Sequence, residues 1–340
     1  PDGLDDAIGA STILRDDLNG RLGQLRTSFN LDGDDIDLIL LALAAEISAG
    51  YGKIFAYLND NLNQAYLTVD LSTRVLRTER TKRLALQARL MKSSPLIQNR
   101  LLLLNPPDGA DTHTSRRVHP SSRLLRWILE GEELPAGLGF TPLDTSGAPL
   151  IAKETTDRID EIAHSLEKAV TVTILGSTSG GREGVAISIA RKVNRPLVRI
   201  DLERCRQFLE QPWDLVRELR LSGALPFVVN IASAQEEPQQ KIQVLTLGAA
   251  LATLPTAVLV GGADRRALSG LLGTDRPSAT VKVGRTNLDE RIQSWEKTLA
   301  KKNWAVGRAI TLAERFYSVG GTTIDQIVER EEAESGGVEP

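Results

Sequence analysis

Between residues 170 and 284 five short runs rich in β-branched and aliphatic residues, VTVTILG, RPLVRIDL, ALPFVVNIAS, TAVLVGGA and SATVKVG, alternate with stretches of helical periodicity. Each run is too short to be a helix and is separated from the next by more chain than a hairpin uses. Such an alternation closes economically as a parallel sheet with helices on both faces. It predicts an α/β core over residues 151–284, opened by the helix RIDEIAHSLEKA. Three further helical stretches, NLDERIQSWEKTLA, NWAVGRAITLAERFYS and TTIDQIVEREEAE, then predict a helical lid over 285–335.

The first 130 residues have a different texture. Residues 1–70 carry twelve acidic and four basic side chains, and residues 71–126 carry twelve basic and three acidic. In LDGDDIDLILLALAAEIS, Ile36, Ile39, Leu40, Leu43 and Ile47 recur at helical spacing, and Asp32 to Asp35 supply caps and favourable charge. YGKIFAYLND belongs to a second helix. Thr68 caps a third, read as continuous through VDLSTRVLRTERTKRLALQARL, with Val69, Val75, Leu76 and Leu84 as its apolar stripe. PLIQNRLLLLN is a further short segment, and RLLRWILEGE one more short helix. Between these two, residues 105–122 are rich in turn formers and lack periodicity, which predicts a long loop or wing. Residues 131–150 hold four glycines and three prolines and read as an interdomain linker. The domains expected are 1–130, a helical winged-helix-like domain, then the linker, the α/β core and the lid.

The sharpest local signal is TILGSTSGGREGVAISIARKV, an apolar run, a glycine-rich turn and a helix. Gly176, Gly181, Arg182 and Glu183 fall on the register G-x-x-x-x-G-K-[ST], in which backbone N–H groups and a helix start hold phosphates. Gly180 and Gly184 complete the glycine-rich frame. The lysine position holds Arg182, longer, planar and forked. The hydroxyl that would ligate magnesium is replaced by Glu183, whose charge opposes a polyphosphate. The strand ALPFVVNIAS ends at Asn230 where a magnesium-orienting aspartate would stand, and Glu236 and Glu237 follow too far along. At the end of the next strand, where a polar sensor would meet the γ-phosphate, stand Gly261 and Gly262. The expectation is a P-loop-type, five-stranded sheet whose nucleotide site has lost its catalytic chemistry. ATP or ADP with magnesium binds weakly or not at all, and no residue is assigned a catalytic role. A plain strand-to-helix turn that never touches phosphate is the simpler reading. A working hydrolase, in which Arg182 replaces the lysine and Glu183 takes the metal, is the rival one.

FNLDGDDIDLILLALAAEISAGYGKIFAYLND, TVDLSTRVL and SSPLIQNRLLLL resemble a bacterial family of AAA-type ATPases with an N-terminal variant winged-helix domain. Glu46, Tyr51 to Leu58, and Thr68 with Val69 carry the matching features. The resemblance spans nearly the whole chain. It is most specific over 29–104 and rests in the ATPase half on the order of elements and on GALPFVV. It implies a ring-forming homo-oligomer, and the single cysteine fits a reducing cytoplasm. Some members are encoded with contractile, phage-tail-like injection systems, so a component of such a system is an expected client. Many members carry two ATPase modules, the first often degenerate, which would make this chain the first part of something longer; its only methionine is Met91. An inter-subunit arginine is expected before the last strand, with Arg265, Arg266 and Arg276 as candidates and solvated surface charge as the plain alternative. A sensor arginine is expected in the lid where GGTTIDQI stands, and none is there.

Other constellations carry less. His113 and His119 share a loop without a carboxylate or cysteine to complete a site, His164 stands apart, and no metal site is expected. Cys205 is the only cysteine, which excludes an internal disulfide and reads as a small structural side chain. No run approaches the length of a membrane span. The basic tract, with Arg74, Arg77, Arg80, Lys82 and Arg83, and Arg116 and Arg117 in the wing, could grip DNA phosphates. The same residues could instead face the acidic first segment, and DNA is the less favoured partner.

Overall fold

The computed structural model describes residues 20–106, 112–131, 140–146, 149–176, 181–233, 237–272, 276–301, 304–315, 324 and 327–328. By contacts the chain divides into two compact units, residues 1–135 with 213–222, and residues 136–212 with 223–340.

The first unit contains α1 (20–29), α2 (Gly33–Ile47), α3 (Ala49–Leu58), α4 (Val69–Leu76), α5 (Arg80–Ala88), α6 (Pro95–Gln98), β1 (Leu102–Asn105), β2 (Arg117–Pro120) and α7 (Ser122–Glu130). Asp32 caps α2 through a reciprocal capping box with Asp35. Thr68, Ser94 and Ser121 cap α4, α6 and α7 through their side-chain oxygens. Phe29, Leu38, Ile39, Leu43, Leu86 and Trp127 lie in one buried core. The long helix expected from Val69 breaks at Arg77, which is extended at φ −141°, ψ 133°. Arg83 donates there to the carbonyls of Arg77 and Thr78, supplying partners to backbone that has left the helix. All of LLLLN but Leu101 is a strand: β1 and β2 form an antiparallel pair, Leu102 opposite Pro120 and Asn105 opposite Arg117. β2 and the start of α7 thus fall inside residues 105–122, read from the sequence as a loop or wing without periodicity; residues 107–111 of that stretch lie outside the described residues.

The second unit contains β3 (Phe140–Leu143), α8 (Lys153–Leu166), β4 (Thr171–Leu175), α9 (Arg182–Lys192), β5 (Leu197–Asp201) and α10 (Gln207–Glu210). After α11 (Pro212–Ser222), which groups with the first unit, come β6 (Leu225–Val229), α12 (Pro238–Leu251), β7 (Val258–Gly262), α13 (Ser269–Leu272), β8 (Ser278–Lys282), α14 (Leu288–Lys301) and α15 (Ala309–Arg315). The sheet has six strands rather than five, in the order β3-β5-β6-β7-β4-β8. All neighbours are parallel except β3, which pairs antiparallel with β5. β3 lies inside the stretch expected to be a linker. Its glycine- and proline-rich surroundings hid a four-residue edge strand, a position that tolerates Pro142 because an edge leaves one side of the ladder unpaired.

The sheet alternates as its period of two requires. Val172, Ile174, Leu225, Phe227 and Leu259 share a core with Ile159 and Ile162 of α8 and Val185 and Ile189 of α9. Thr171, Val258 and Val260 instead line a small space with Gly248 and Leu251 of α12 and Leu271 of α13. Helices therefore cover both faces. α14 and α15 hold a core of their own, with Trp295, Leu299, Ala309 and Ala313 buried together.

Candidate functional site

β4 is interior to the sheet, with β7 on one side and β8 on the other. Its carboxyl end carries the glycine-rich turn, of which Gly180 and residues 177–179 lie outside the described residues. The described glycines have structural reasons to be glycine. A Cβ on Gly176 would stand 2.9 Å from Val283, whose backbone follows β8 and donates to Leu175 O at 2.8 Å. Gly181 caps α9 at φ 80°, the left-handed region that side chains disfavour. A Cβ on Gly184 would press within 3.1 Å of Pro149.

Around the turn the charged side chains engage one another. Glu183, in the first turn of α9, accepts from Arg199 Nη1 of β5 at 3.3 Å. Arg199 Nη2 lies 3.5 Å from Asp201 Oδ2 at the end of the same strand. Asn230, just past β6, donates from Nδ2 to both oxygens of Asp201 at 2.9 Å. The backbone N–H of Glu203 adds a fourth contact to Asp201. Asn230 itself is left-handed, at φ 59°, a conformation Asn tolerates better than most residues. Arg182 makes no ion pair among the described residues. Burial, and then the neighbouring charge of Arg199, hold its guanidinium below the ordinary arginine range. Two arginines and two carboxylates thus occupy the place where a phosphate-binding site would be expected, and their formal charges cancel.

The remaining sequence candidates fall as follows. Gly261 and Gly262 are packing positions: a Cβ on the first would meet Phe227 at 2.9 Å, and on the second Leu268 at 2.5 Å. Arg265 and Arg266 are exposed beyond β7. Arg276 is turned onto the backbone, its Nη1 donating to Leu251 O and Leu254 O at 3.0 and 3.1 Å and its Nη2 to Thr256 O. Burial pushes its guanidinium down to about 10. Glu237 precedes α12 without capping it, and Glu236 lies outside the described residues. Cys205 is buried, and burial raises its thiol. No cluster of three metal-ligating side chains occurs among the described residues. Most of the GGTTIDQI stretch lies outside them.

Arg199 is the residue that sequence reasoning missed. Its signal was present: Arg199 and Asp201 are two apart in a strand and therefore share a face, next to Leu197, which packs in the α9 core.

In the helical unit the basic tract is largely spent. Arg77 pairs with Asp34 and Asp37, and Arg89 with Asp32, Asp34 and Asp35. Arg74 pairs with Asp70, Lys82 with Glu79, and Arg117 with Glu46 while lying over the Tyr66 ring.

Residues 10–139 match the family model described as "Winged helix domain, variant". Among curated proteins no relative matches. Similar solved structures include one titled as a DNA replication initiation factor, 13% identical with a TM-score of 0.37, covering 57% of this chain and 66% of that one. The C. elegans PCH-2 structure is 12% identical, with a TM-score of 0.35 and coverage of 73% and 89%. An E. coli MS115-1 HORMA:CdnC:Trip13 complex is 14% identical, with a TM-score of 0.29 and coverage of 52% and 70%. Likenesses this weak carry no argument. What stands is a winged-helix family match in the first unit and a mixed α/β fold with a six-stranded, mostly parallel sheet in the second. No single helix among the described residues is long and apolar enough to cross a membrane.

Proposed function

We propose that the second unit is a degenerate AAA-type nucleotide module. It serves as a scaffold that holds neighbouring subunits or a client protein and does not turn over ATP. One observation carries this reading: Arg199 bridges Glu183 and Asp201 while Asn230 engages both oxygens of Asp201. A working site needs a free cation for the β- and γ-phosphates and free oxygen ligands for magnesium. Here Arg182 is left without an ion pair among the described residues, but the candidate oxygen ligands are committed to Arg199 and Asn230, and the described glycines answer to packing and to a left-handed backbone. The sequence resemblance supplies the assembly: a homo-oligomeric ring, with a component of a contractile injection system as client and ATP hydrolysis by another module; the single cysteine fits a reducing cytoplasm. Arg265 and Arg266 are the exposed arginines available to a neighbouring subunit.

The test is phosphate release by the full chain, set beside an Arg182→Ala variant. Wild type and variant should both match the protein-free background. Turnover by the wild type that Arg182→Ala abolishes would return the unit to the working hydrolases, with Arg182 in place of the usual lysine.

The winged-helix match keeps DNA binding as a second reading. The pairing of Arg74, Arg77 and Arg89 with aspartates weighs against it, because phosphate contacts need cations that are not already neutralised.

A further inference from the structure

The surface of α3 is unusual for the exterior of a monomer. Ile47 at the end of α2, Tyr51, Ile54, Tyr57 and Leu58 on α3, and Leu62 just beyond it are all large, apolar and exposed, at 58%, 46%, 51%, 82%, 39% and 89%. On α3 itself Tyr51, Ile54 and Leu58 follow one another at steps of three and four, with Tyr57 three beyond Ile54, the spacing of a single helical face; Ile47 belongs to α2, which meets α3 at a 115° bend. With ~150–200 Å² per large side chain, the six expose roughly 600 Å². That is at the upper end of the patches monomers expose, about 300–600 Å². It also approaches the ~800 Å² that each partner contributes to a standard interface. The opposite side of α3 is the one the fold uses, with Phe55 and Ala56 buried.

We infer that this face is a two-fold contact between two copies of the chain, α3 packing against α3 of the second copy. Three features favour a second copy over another occupant. The exposed area suits a standard interface once a polar rim is added. Lys53 is the only charged residue on α3, so like meets like with little repulsion and nothing selects a charged partner. The face also carries both a knob and a hole. Gly50 is exposed, and a Cβ there would meet only Ser48 Oγ, at 3.5 Å, so this chain's own packing does not demand glycine. Tyr57 stands seven residues, about two turns, further on. In an antiparallel pair Tyr57 of each copy can enter the hollow at Gly50 of the other, the self-complementarity a two-fold contact requires. That pairing puts Ile54 beside the dyad.

The test uses the full chain. The native Cys205 is buried, so an introduced cysteine reports alone. Ile54→Cys should give a covalent dimer under mild oxidation, while Lys82→Cys, exposed on α5, should not. Adding Tyr57→Asp to Ile54→Cys should remove the cross-link. In sedimentation without cross-linking, the wild type should self-associate at tens of micromolar, and Tyr57→Asp should weaken that at least about tenfold. Tyr57 is largely exposed, so a melting temperature equal to the wild type's, measured well below the dimerising concentration, is expected to show that the variant folds. A monomeric wild type, equal cross-linking at positions 54 and 82, or an assembly indifferent to Tyr57→Asp would each overturn the inference. The last result would leave a head-to-tail ring through other surfaces. None of these readouts depends on nucleotide.

Discussion

Arg199 reaches from β5 to Glu183 in the first turn of α9, with Nη1 3.3 Å from Oε2. The link ties the helix that follows the glycine turn to the neighbouring part of the sheet. It also uses the residue that stands where a magnesium-ligating hydroxyl is expected. Removing the carboxylate and restoring the compact cation should reopen the site. The double change Arg182→Lys with Glu183→Thr is expected to raise ATP affinity at least about tenfold over the wild type, about 1.4 kcal/mol. Fluorescent-nucleotide displacement measures it. Equal affinities would mean that these two positions are not what closes the site.

Gly176 and Val283 are packed so closely that Gly176→Ala should cost about 1–3 kcal/mol, as overpacking does. Val283→Ala added to it should recover part of the loss, because the Cβ at Gly176 would meet both Val283 Cβ and Cγ2 at 2.9 Å and only the Cγ2 clash is relieved. Denaturant titration of the two variants reads both effects.

In the first unit Arg123 Nε bonds Glu218 Oε2 at 2.6 Å, with side chains 6% and 0% exposed, and Arg217 engages the other oxygen of Glu218. Glu218→Ala should be strongly destabilising, on the order of 3–5 kcal/mol, because it strands buried cationic charge. Replacing Glu218 by Leu and Arg123 by Met together should cost less than the single change, because Arg217 keeps Asp214 as its partner. Chemical denaturation settles the order.

The α2 capping box makes a pH-dependent prediction. Burial raises the Asp32 carboxyl, but the backbone N–H of Asp35 and the Arg89 guanidinium outweigh it, and the net shift is downward from 3.8. A carboxylate held below its unfolded value adds stability above that value and loses it as pH falls through the folded value. Asp32→Ala should therefore cost about 1 kcal/mol at neutral pH. The difference should shrink below pH 3.8, measured as melting temperatures of the two proteins across the acid range.

The parallel strands of the core were legible because each is a buried apolar run between helical stretches, and Asp32, Thr68 and Gly181 marked element starts through general capping and turn chemistry. Other features required tertiary context. The apolar periodicity of α2 included Leu40 and Ile47, which are exposed, whereas Leu38 and Ala42 are buried; spacing gave the helix but set its buried face one position off. LLLLN has no intrinsic period and became a strand because Arg117–Pro120 lies beside it. α11 follows β5 in the chain, yet Leu221 is buried in the helical core and Glu218 meets Arg123. At the candidate site the altered motif residues were readable one by one. Their mutual neutralisation was not, since Arg199 lies sixteen residues from Glu183 and only the strand–helix crossover brings them together.

The most direct measurement is calorimetric titration of the full chain with ATP and with ADP, with and without magnesium, alongside melting temperatures. No binding heat and no thermal shift are expected at millimolar nucleotide, the metal making no difference. Micromolar, magnesium-dependent binding would contradict this, because Glu183 and Asp201 could not then be held by Arg199 and Asn230 in the state that meets nucleotide.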